Sequence, residues 1–319
     1  MPDGTEGATA AADTELASEV AGAVMENIQG VIVGNDEAIE GLLTGVLAGG
    51  HVLLEDVPGV GKTMLARALA ASFDCSFERV QFTPDLLPSD ITGTNVYDRT
   101  TEEFEFRPGP IFGNVVLGDE INRAPPKTQA AMLEAMEEAQ VTVDGGTHPM
   151  PDPFVVVATQ NSVERERTYE LPAAELDRFM LKLRLGYPDA GEEATVIERA
   201  VGGHAIGSID SVASVADLRA ARAATAAVEV REPIREYVTR LTHYTREHAE
   251  LGVSPRGSIA LARAAQGRAI LESRPYVIPD DVQAAAPAVL CHRIRTDPAE
   301  PDAETIVSNA VTTVPVEAY

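Results

Sequence analysis

The sequence predicts an α/β protein in which helices flank both faces of a parallel sheet, followed by a region made of helices alone. Short apolar runs alternate with helical or polar stretches, which indicates a parallel sheet. Several runs consist of consecutive Val and Leu, as is typical of strands buried on both faces. No buried strand pattern recurs after Pro188, so we place the end of the α/β part there.

The N-terminal segment is predicted to contain a tail and two helices. Residues 1–14 are mainly Ala, Gly, Thr and acidic residues, which bury little surface, so we expect a disordered tail. Over 15–28 apolar residues recur at every fourth position, which predicts a helix. Asn35 belongs to the residue types that cap helices, and we place a second helix from there to about residue 47.

Five strands and an inserted hairpin are predicted next. The apolar runs fall at 51–55, 79–82, 114–118, 154–159 and 179–185. Two β-prone pieces around a polar turn, at 91–94 and 104–106, predict a hairpin that projects from the sheet. A further β-prone piece at 141–143 precedes the fourth strand.

The C-terminal part is predicted to be all-helical. Segments rich in Ala and Arg, with apolar residues at helical spacing, fall at 215–227, 233–251, 258–271 and 279–293. We therefore divide the chain into a tail (1–14), an α/β core (15–188) and a helical domain (189–319).

The charge of the chain argues against some classes of partner. Fifty Asp and Glu oppose 25 Lys and Arg, only three of which are Lys, and the net charge is −25. Such a charge opposes non-specific binding to nucleic acid or to anionic lipid. It also suits a halophilic cytoplasm, because molar salt screens the self-repulsion. On that interpretation the acidic surface reflects the solvent rather than the ligand.

The distribution of charge also bears on location. The longest stretch without a formal charge, 41–54, has 14 residues and is too short to span a membrane. Residues 1–19 have neither the basic start nor the apolar block of a secretory signal. We expect a cytoplasmic protein without membrane insertion.

The strongest motif is GVGKT at 59–63, between the first strand and a helix predicted over 62–72. Glycines let backbone N–H groups converge on phosphate oxygens, and the helix N-terminus adds partial positive charge. Lys62 would lie against the β and γ phosphates of a nucleotide, and the Thr63 hydroxyl would ligate Mg²⁺. The general pattern GxxxxGK[ST] has glycine where this chain has Asp56. The alternative is a Gly-rich turn before an ordinary helix.

Two adjacent carboxylates end the third strand. Asp119 would hold the water shell of Mg²⁺, and Glu120 would orient and polarise an attacking water. Alone, an apolar run ending in Asp-Glu usually marks only the end of a strand. Together with the phosphate loop, the pair predicts a catalytic site.

Three further residues are candidates with open alternatives. Asn161 follows the fourth strand, where its amide could position the water or contact the γ-phosphate, or could make a turn. Arg178 precedes the fifth strand, and Arg256 opens a helix of the second domain from which it could reach the same phosphate. Arginine stabilises the charge that accumulates on a transferred phosphate. In an acidic protein both could instead be ordinary ion-pair partners.

Longer strings give the chain a resemblance to a known family. They are LEDVPGVGKT (54–63), QFTPDLLPSD (81–90), FRPGPIF (106–112), DEINRAPPKTQ (119–129), ATQN (158–161) and LDRF (176–179). Over about residues 20–295 the chain resembles AAA+ ATPases, and specifically the MoxR family. The resemblance implies a five-stranded core with a helix-2 insert hairpin, which corresponds to 91–110, followed by a helical lid.

The resemblance also implies roles for the candidate residues. Asn161 would be the sensor 1 residue, Arg178 the arginine finger from a neighbouring subunit, and Arg256 the sensor 2 residue. Whether Arg178 or another nearby arginine is the finger stays open. The adenine would lie against the segment 31–34. The implied nucleotide-binding residues are Val33, Gly34, Pro58, Gly59, Val60, Gly61, Lys62, Thr63 and Met64.

The implied function is an ATPase that uses ATP and Mg²⁺ in a ring, usually hexameric, to remodel or mature partner proteins. Proteins with von Willebrand A domains are the implied partners. A nucleic-acid motor would need a basic stripe or stacking aromatic residues, whereas this sequence has no Trp and no Lys/Arg cluster. A scaffold that binds ATP with little turnover would lack water activation, and Glu120 argues against it.

Three positions depart from the family pattern. Asp56 departs from the general phosphate loop, although similar MoxR sequences accept Asp there. Arg167 and Glu170 stand where family members tend to have Gly and Pro. These two replacements alter the loop that leads to the finger helix, so they bear on the geometry between subunits.

Overall fold

The computed structural model describes residues 4–161, 169–201, 209–297, 299 and 301–316 of the 319 residues. It confirms the predicted fold class, with a parallel sheet of five strands and two small antiparallel hairpins. The strands are β1 Val52–Asp56, β2 Phe77–Gln81, β3 Gly93–Asp98, β4 Glu103–Pro108, β5 Val115–Asp119, β6 Gln140–Val143, β7 Gly146–Pro149, β8 Val155–Asn161 and β9 Leu181–Leu183.

Helices cover the sheet and form the C-terminal region. They are α1 Gly4–Gln29, α2 Asp36–Leu47, α3 Lys62–Ser72, α4 Pro88–Thr92, α5 Pro126–Glu138, α6 Ala173–Leu176, α7 Ala190–Val201, α8 Val215–Ala227, α9 Glu232–Glu247, α10 Pro255–Leu271, α11 Pro279–Leu290 and α12 Ala303–Thr313. Helix α3 has the predicted bounds, whereas α7 and α12 were not predicted as separate helices. Among the described residues, every helix is too short or too polar to span a bilayer.

The order of strands in the large sheet is β2-β5-β8-β1-β9. Every residue of β5 is buried, as its continuous apolar run predicts. The register places Gln81 opposite Asp119 and Asp56 opposite Asn161. Because parallel strands end at the same edge, the polar residues at their carboxyl ends meet there.

Helix α1 corrects the prediction of a disordered tail. The helix begins at Gly4, so the prediction is wrong over 4–14, and residues 1–3 lie outside the described residues. Alanine has the highest helix propensity, and this segment is rich in it. Further along the helix, Val24 and Ile28 are fully buried, so packing anchors α1 to the core.

The helical C-terminal region packs back onto the N-terminal helices. Helix α8 contacts α1, and α10 contacts α2 and α11. Buried apolar residues of the sheet, the N-terminal helices and the C-terminal region form one continuous cluster. The C-terminal region is therefore held against the α/β part by a shared apolar core.

The predicted insert hairpin is formed by β3 and β4. Near its turn Tyr97 and Phe104 are 49% and 72% exposed, and their rings pack edge to face with centroids 5.3 Å apart. The Asn95 amide donates to the Asp144 carboxylate at 3.0 Å, which links this hairpin to the β6–β7 hairpin. The two hairpins therefore lie side by side.

Candidate active site

The glycine turn adopts the conformation that its sequence predicts. Gly59 and Gly61 have φ of 90° and 96°, in the left-handed region that favours glycine. A Cβ at either residue would meet no atom within 4 Å, so the backbone conformation, rather than space, requires glycine. Gly61 directly precedes α3, whose first N–H groups lack partners within the helix. The turn thus presents backbone donors at a helix N-terminus.

This turn forms one side of a cavity of about 450 Å³ at the carboxyl edge of the sheet. The predicted residues that line it are Pro58, Gly59, Gly61, Lys62, Thr63, Met64, Asp119, Glu120 and Asn161. The cavity therefore gathers the phosphate-loop, carboxylate and sensor 1 candidates. Val60 is not among its lining residues and packs partly buried against the core.

Lys62 is held by the loop it belongs to. Its Nζ donates to the main-chain carbonyls of Asp56 at 2.9 Å and Val57 at 3.2 Å. Burial lowers the pKa of Lys62, while the charges of Asp56, Asp119 and Glu120 oppose that shift. The nearby carboxylates thus favour the ammonium form, which attracts phosphate.

Asp119 is fixed by two neighbouring strands. Thr159 on β8 donates its hydroxyl to Oδ1 at 2.7 Å, and Arg79 on β2 donates to Oδ2 at 2.6 Å. The Thr159 hydroxyl oxygen also accepts from the Glu120 N–H at 2.8 Å. The carboxylate is therefore oriented from both sides.

Glu120 has a backbone conformation that is unusual for its residue type. Its φ and ψ are 58° and 49°, in the left-handed region that residues with a Cβ rarely adopt. Its Oε2 accepts from Gln81 at 2.9 Å and from Arg123 at 2.8 Å. Strained residues of this kind occur often at functional sites, and here the strain accompanies a carboxylate in the cavity.

Arg79 and Gln81 were not predicted as site residues, although both line the cavity. Arg79 also donates to the Gln81 side chain at 2.6 Å, so the two link Asp119 to Glu120. Their spacing was a usable signal, because alternate residues of a strand share a face. Two polar side chains on one face of β2, beside the strand that carries the carboxylates, predict a contact across the sheet.

The cavity has ligands that suit Mg²⁺. Thr63 and Asp119 offer a hydroxyl and a carboxylate oxygen to the same space, and Mg²⁺ prefers oxygen ligands. Among the described residues no group of three or more His, Cys, Asp and Glu is placed to hold a metal ion. This arrangement fits an ion held by one or two protein oxygens together with substrate phosphates and water.

Arg178 and Arg256 lie outside this cavity and close to each other. They line a second space of about 200 Å³, together with Arg263, Glu137 and His51. His51 directly precedes β1, so this space lies at the amino edge of the sheet. Neither arginine lines the phosphate cavity of its own chain, so the roles of Arg178 and Arg256 stay predictions. We call this space the arginine pocket.

Glu137 pairs with both arginines and was not predicted. Arg178 Nη2 lies 3.0 Å from Glu137 Oε2, and Arg256 pairs with Oε1 of the same carboxylate. The hydrogen bond from Arg256 and the charges of both arginines hold the pKa of Glu137 below its usual value. No sequence pattern distinguishes Glu137 as a site residue, because other acidic residues lie near it at the end of α5.

The helical region anchors the segment that carries Arg178. Arg293 donates to the Asp177 carboxylate at 2.7 Å and to the main-chain carbonyls of Phe179 and Met180. Ser254, which caps α10, donates to the other Asp177 oxygen at 2.9 Å. The Arg293 side chain is 2% exposed, so these bonds are shielded from water. Arg178 and Arg256 are thereby held in a fixed relation.

The segment predicted to bind adenine packs against α7. Gly34 has φ of 70°, and a Cβ there would collide with the Glu192 carboxylate. Arg199 donates to the Gly30 carbonyl at 3.0 Å. Val33 and Gly34 are not among the residues that line the phosphate cavity, so their role stays a prediction. Arg167, one of the departures from the family pattern, lies outside the described residues.

Comparisons with known proteins agree with this geometry. The family described as "ATPase family associated with various cellular activities (AAA)" matches residues 51–181, and the "AAA lid domain" matches 241–310. The chain is 53% identical over 279 residues to protein YeaC of Bacillus subtilis, with 87% of each chain covered. It is 41% identical over 304 residues to Chaperone MoxR1 of Mycobacterium tuberculosis, covering 92% of this chain and 78% of the relative.

Two further proteins are similar to this chain at lower sequence identity. Protein MoxR of Paracoccus denitrificans is 34% identical over 323 residues, covering 91% of this chain and 94% of the relative. A crystal structure of a protein from Cytophaga hutchinsonii superposes with a TM-score of 0.90 at 36% identity, covering 99% of this chain and 100% of that chain.

Proposed function

The chain belongs to the MoxR family of AAA+ ATPases, and on this premise we propose that it hydrolyses ATP at interfaces between copies of itself and remodels partner proteins. ATP would bind in the phosphate cavity, with loop N–H groups and Lys62 on its phosphates. Mg²⁺, held by Thr63 and Asp119, would neutralise charge on the phosphate oxygens.

The chain's own residues would then activate and place the nucleophile. Glu120 would orient a water molecule and accept its proton as the water attacks the γ-phosphorus and the bond to the β-phosphate oxygen breaks. Asn161 would hold the water or the γ-phosphate without adding charge. Gln81 and Arg123, which bind Glu120 at 2.8–2.9 Å, would keep its carboxylate aimed into the cavity.

The observation that carries the proposal is the separation of the two halves of the site. The phosphate cavity and the arginine pocket lie at opposite edges of one sheet, and neither Arg178 nor Arg256 lines the phosphate cavity of its own chain. An arginine from a second copy would stabilise the charge on the transferred phosphate. A repeating contact of this head-to-tail kind closes into a ring if its rotation permits, and we propose a hexamer.

The client would be a protein, and we propose proteins with von Willebrand A domains. The exposed Tyr97–Phe104 pair on the insert hairpin offers an apolar contact to a polypeptide. The net charge of −25 opposes a nucleic-acid client. The same charge favours a salt-rich cytoplasm as the working environment.

The test is a mixing experiment in molar KCl. Lys62→Ala and Arg178→Ala chains are assayed for ATP hydrolysis alone and after mixing. Each alone should be nearly inactive, and the mixture should recover a measurable fraction of activity, because one subunit supplies Arg178 to the intact cavity of another.

The control is a chain that carries both substitutions, mixed with wild type. Because the double variant has neither an intact cavity nor Arg178, its subunits should add no ATP hydrolysis to that of wild type. Absence of recovery in the first mixture, when both chains co-assemble, would contradict the shared site. Equal rates for wild type and Glu120→Gln would instead favour a nucleotide-gated scaffold.

A further inference from the structure

Asp56, which departs from the general phosphate-loop pattern, makes three hydrogen bonds with its side chain. Oδ1 accepts from the Val57 N–H at 2.7 Å. Oδ2 accepts from the N–H groups of Leu185 at 2.7 Å and Gly186 at 2.6 Å. The residue is only 8% exposed. A glycine at this position would offer none of these acceptors, so the departure has a structural consequence.

The partners of Asp56 belong to the segment that joins the sheet to the helical region. Residues 185–188 follow β9 and precede α7, and we call this segment the connector. Gly186 has φ of 72°, so the chain bends there in a conformation that favours glycine. Both connector N–H groups that Asp56 binds lie at this bend. The Asp56 carboxylate therefore links the phosphate loop to the connector by hydrogen bonds.

The same residue is also contacted by the lysine of the phosphate loop. Lys62 Nζ donates to the Asp56 carbonyl at 2.9 Å and to the Val57 carbonyl at 3.2 Å. Asp56 thus lies between Lys62 and the connector. A phosphate that draws Lys62 away would remove a donor from the residue whose carboxylate holds Leu185 and Gly186.

We propose that Asp56 is a positioning residue that transmits the occupancy of the phosphate loop to the connector, and through it to the helical region. The proposal rests on the proposed ATP site, because the signal is nucleotide in the loop. Asp56→Gly restores glycine at the position where the general phosphate-loop pattern has it. We nevertheless expect this change to uncouple the helical region from nucleotide binding, and not to improve binding.

Hydrogen exchange on the full chain in molar KCl tests the link first without nucleotide. In Asp56→Gly the amides of Leu185 and Gly186 should exchange about tenfold faster or more than in wild type, because local opening no longer breaks bonds to a carboxylate. Glu55→Gln is the matched control: Glu55 lies beside Asp56 and pairs with Lys182 and Arg184 through side chains, at 3.0 and 3.2 Å. It should leave these amides at the wild-type rate.

The coupling is then tested with a non-hydrolysable ATP analogue and Mg²⁺. Wild type and Glu55→Gln should show altered exchange in the connector and in α8–α11 when the analogue binds. Asp56→Gly should bind the analogue within about threefold of the wild-type Kd, a change under 1 kcal/mol, and show no such alteration. Asp56→Asn keeps one acceptor oxygen, so either the Val57 N–H or the two connector N–H groups would face an NH₂ group, and the response should be intermediate.

Each other outcome counts against the proposal. Wild-type exchange at Leu185 and Gly186 in unliganded Asp56→Gly would overturn the link. Faster exchange with a preserved response to the analogue would reduce Asp56 to a turn cap and overturn the coupling. If Asp56→Gly does not fold, as judged by circular dichroism, the same comparisons on Asp56→Asn decide. A wild-type chain that binds no analogue would overturn the proposed function and the coupling with it, while the unliganded comparison would still decide the link.

Discussion

The phosphate cavity and the arginine pocket lie at opposite edges of one sheet and are built in different ways. Most residues of the cavity come from two short motifs, 58–64 and 119–120, each of which lies at the carboxyl end of a strand. The arginine pocket joins Glu137, Arg178 and Arg256, the first and last of which are separated by 119 positions along the chain. Local sequence therefore builds the binding half of the site, and tertiary packing builds the half that we propose serves a neighbour.

The largest effect is expected when the arginine finger candidate is removed. Arg178→Ala should lower kcat for ATP by about 10³ to 10⁵-fold, because the charge of the transferred phosphate would lose its partner. Binding of ATP should be unchanged, since Arg178 does not line the phosphate cavity. Steady-state rates and a binding titration measure the two quantities.

Arg231→Ala is the control for this change, because Arg231 is half exposed and pairs with Glu229 on the surface of the helical region. It should leave both quantities at wild-type values. A large loss of ATP affinity in Arg178→Ala would place the arginine in the site of its own chain.

A second change acts on the cavity itself. Glu120→Gln should lower kcat by about 10² to 10⁴-fold, because the amide cannot accept the proton of the attacking water. ATP should still bind, and the variant should trap it unhydrolysed. Glu138→Gln, at an exposed position on α5, is the control and should retain activity. Rapid hydrolysis by Glu120→Gln would remove the general-base assignment.

A third prediction concerns pH and the arginine edge of the sheet. Burial lowers the pKa of His51 to about 4 from 6.5. Between these two pH values the unfolded chain binds more protons than the folded chain. The contribution of His51 to the free energy of unfolding is therefore fully present above about pH 6.5. It falls as the pH is lowered toward 4, by about 3 kcal/mol.

Denaturant unfolding at pH 7 and pH 4.5 measures this slope. His51→Gln keeps a donor for the Met136 carbonyl and an acceptor for the Val156 N–H, and should show a shallower loss on acidification. His243→Gln, at an exposed position, should match wild type. The same slope in all three chains would contradict the assignment to His51.

The smallest effect is expected at Glu137. Its carboxylate is about one-third exposed, so its ion pairs with Arg178 and Arg256 contribute less than about 1 kcal/mol to stability. In Glu137→Gln the arginines lose a competing anion, so the rate at saturating ATP should rise by about two- to fivefold while ATP affinity stays unchanged. A fall in that rate would mean that Glu137 holds the arginines in their working position.

Much of the sheet and of the phosphate cavity was predictable, because both follow local rules. Continuous runs of Val and Leu indicate buried strands, and a short Gly-rich motif between a strand and a helix indicates the glycine turn. The prediction of a disordered tail was wrong at 4–14. This Ala-rich segment forms the first turns of α1, and later turns of that helix pack on the core. Arg79 and Gln81 were missed because the apolar periodicity of one segment does not reveal partners on another strand; the usable signal was the alternate spacing of two polar residues on the neighbouring strand.

The amino-acid sequence alone was enough for the fold class and the family, and it predicted the residues that would bind and cleave ATP, since backbone conformation and strand burial depend on neighbouring residues. The contacts of Arg178 and Arg256 with Glu137 at the far edge of the sheet, and of Asp56 with the connector, became visible only in the folded chain. Those contacts join segments that are distant along the chain. Their geometry follows from how helices and strands pack, which no single stretch of residues specifies.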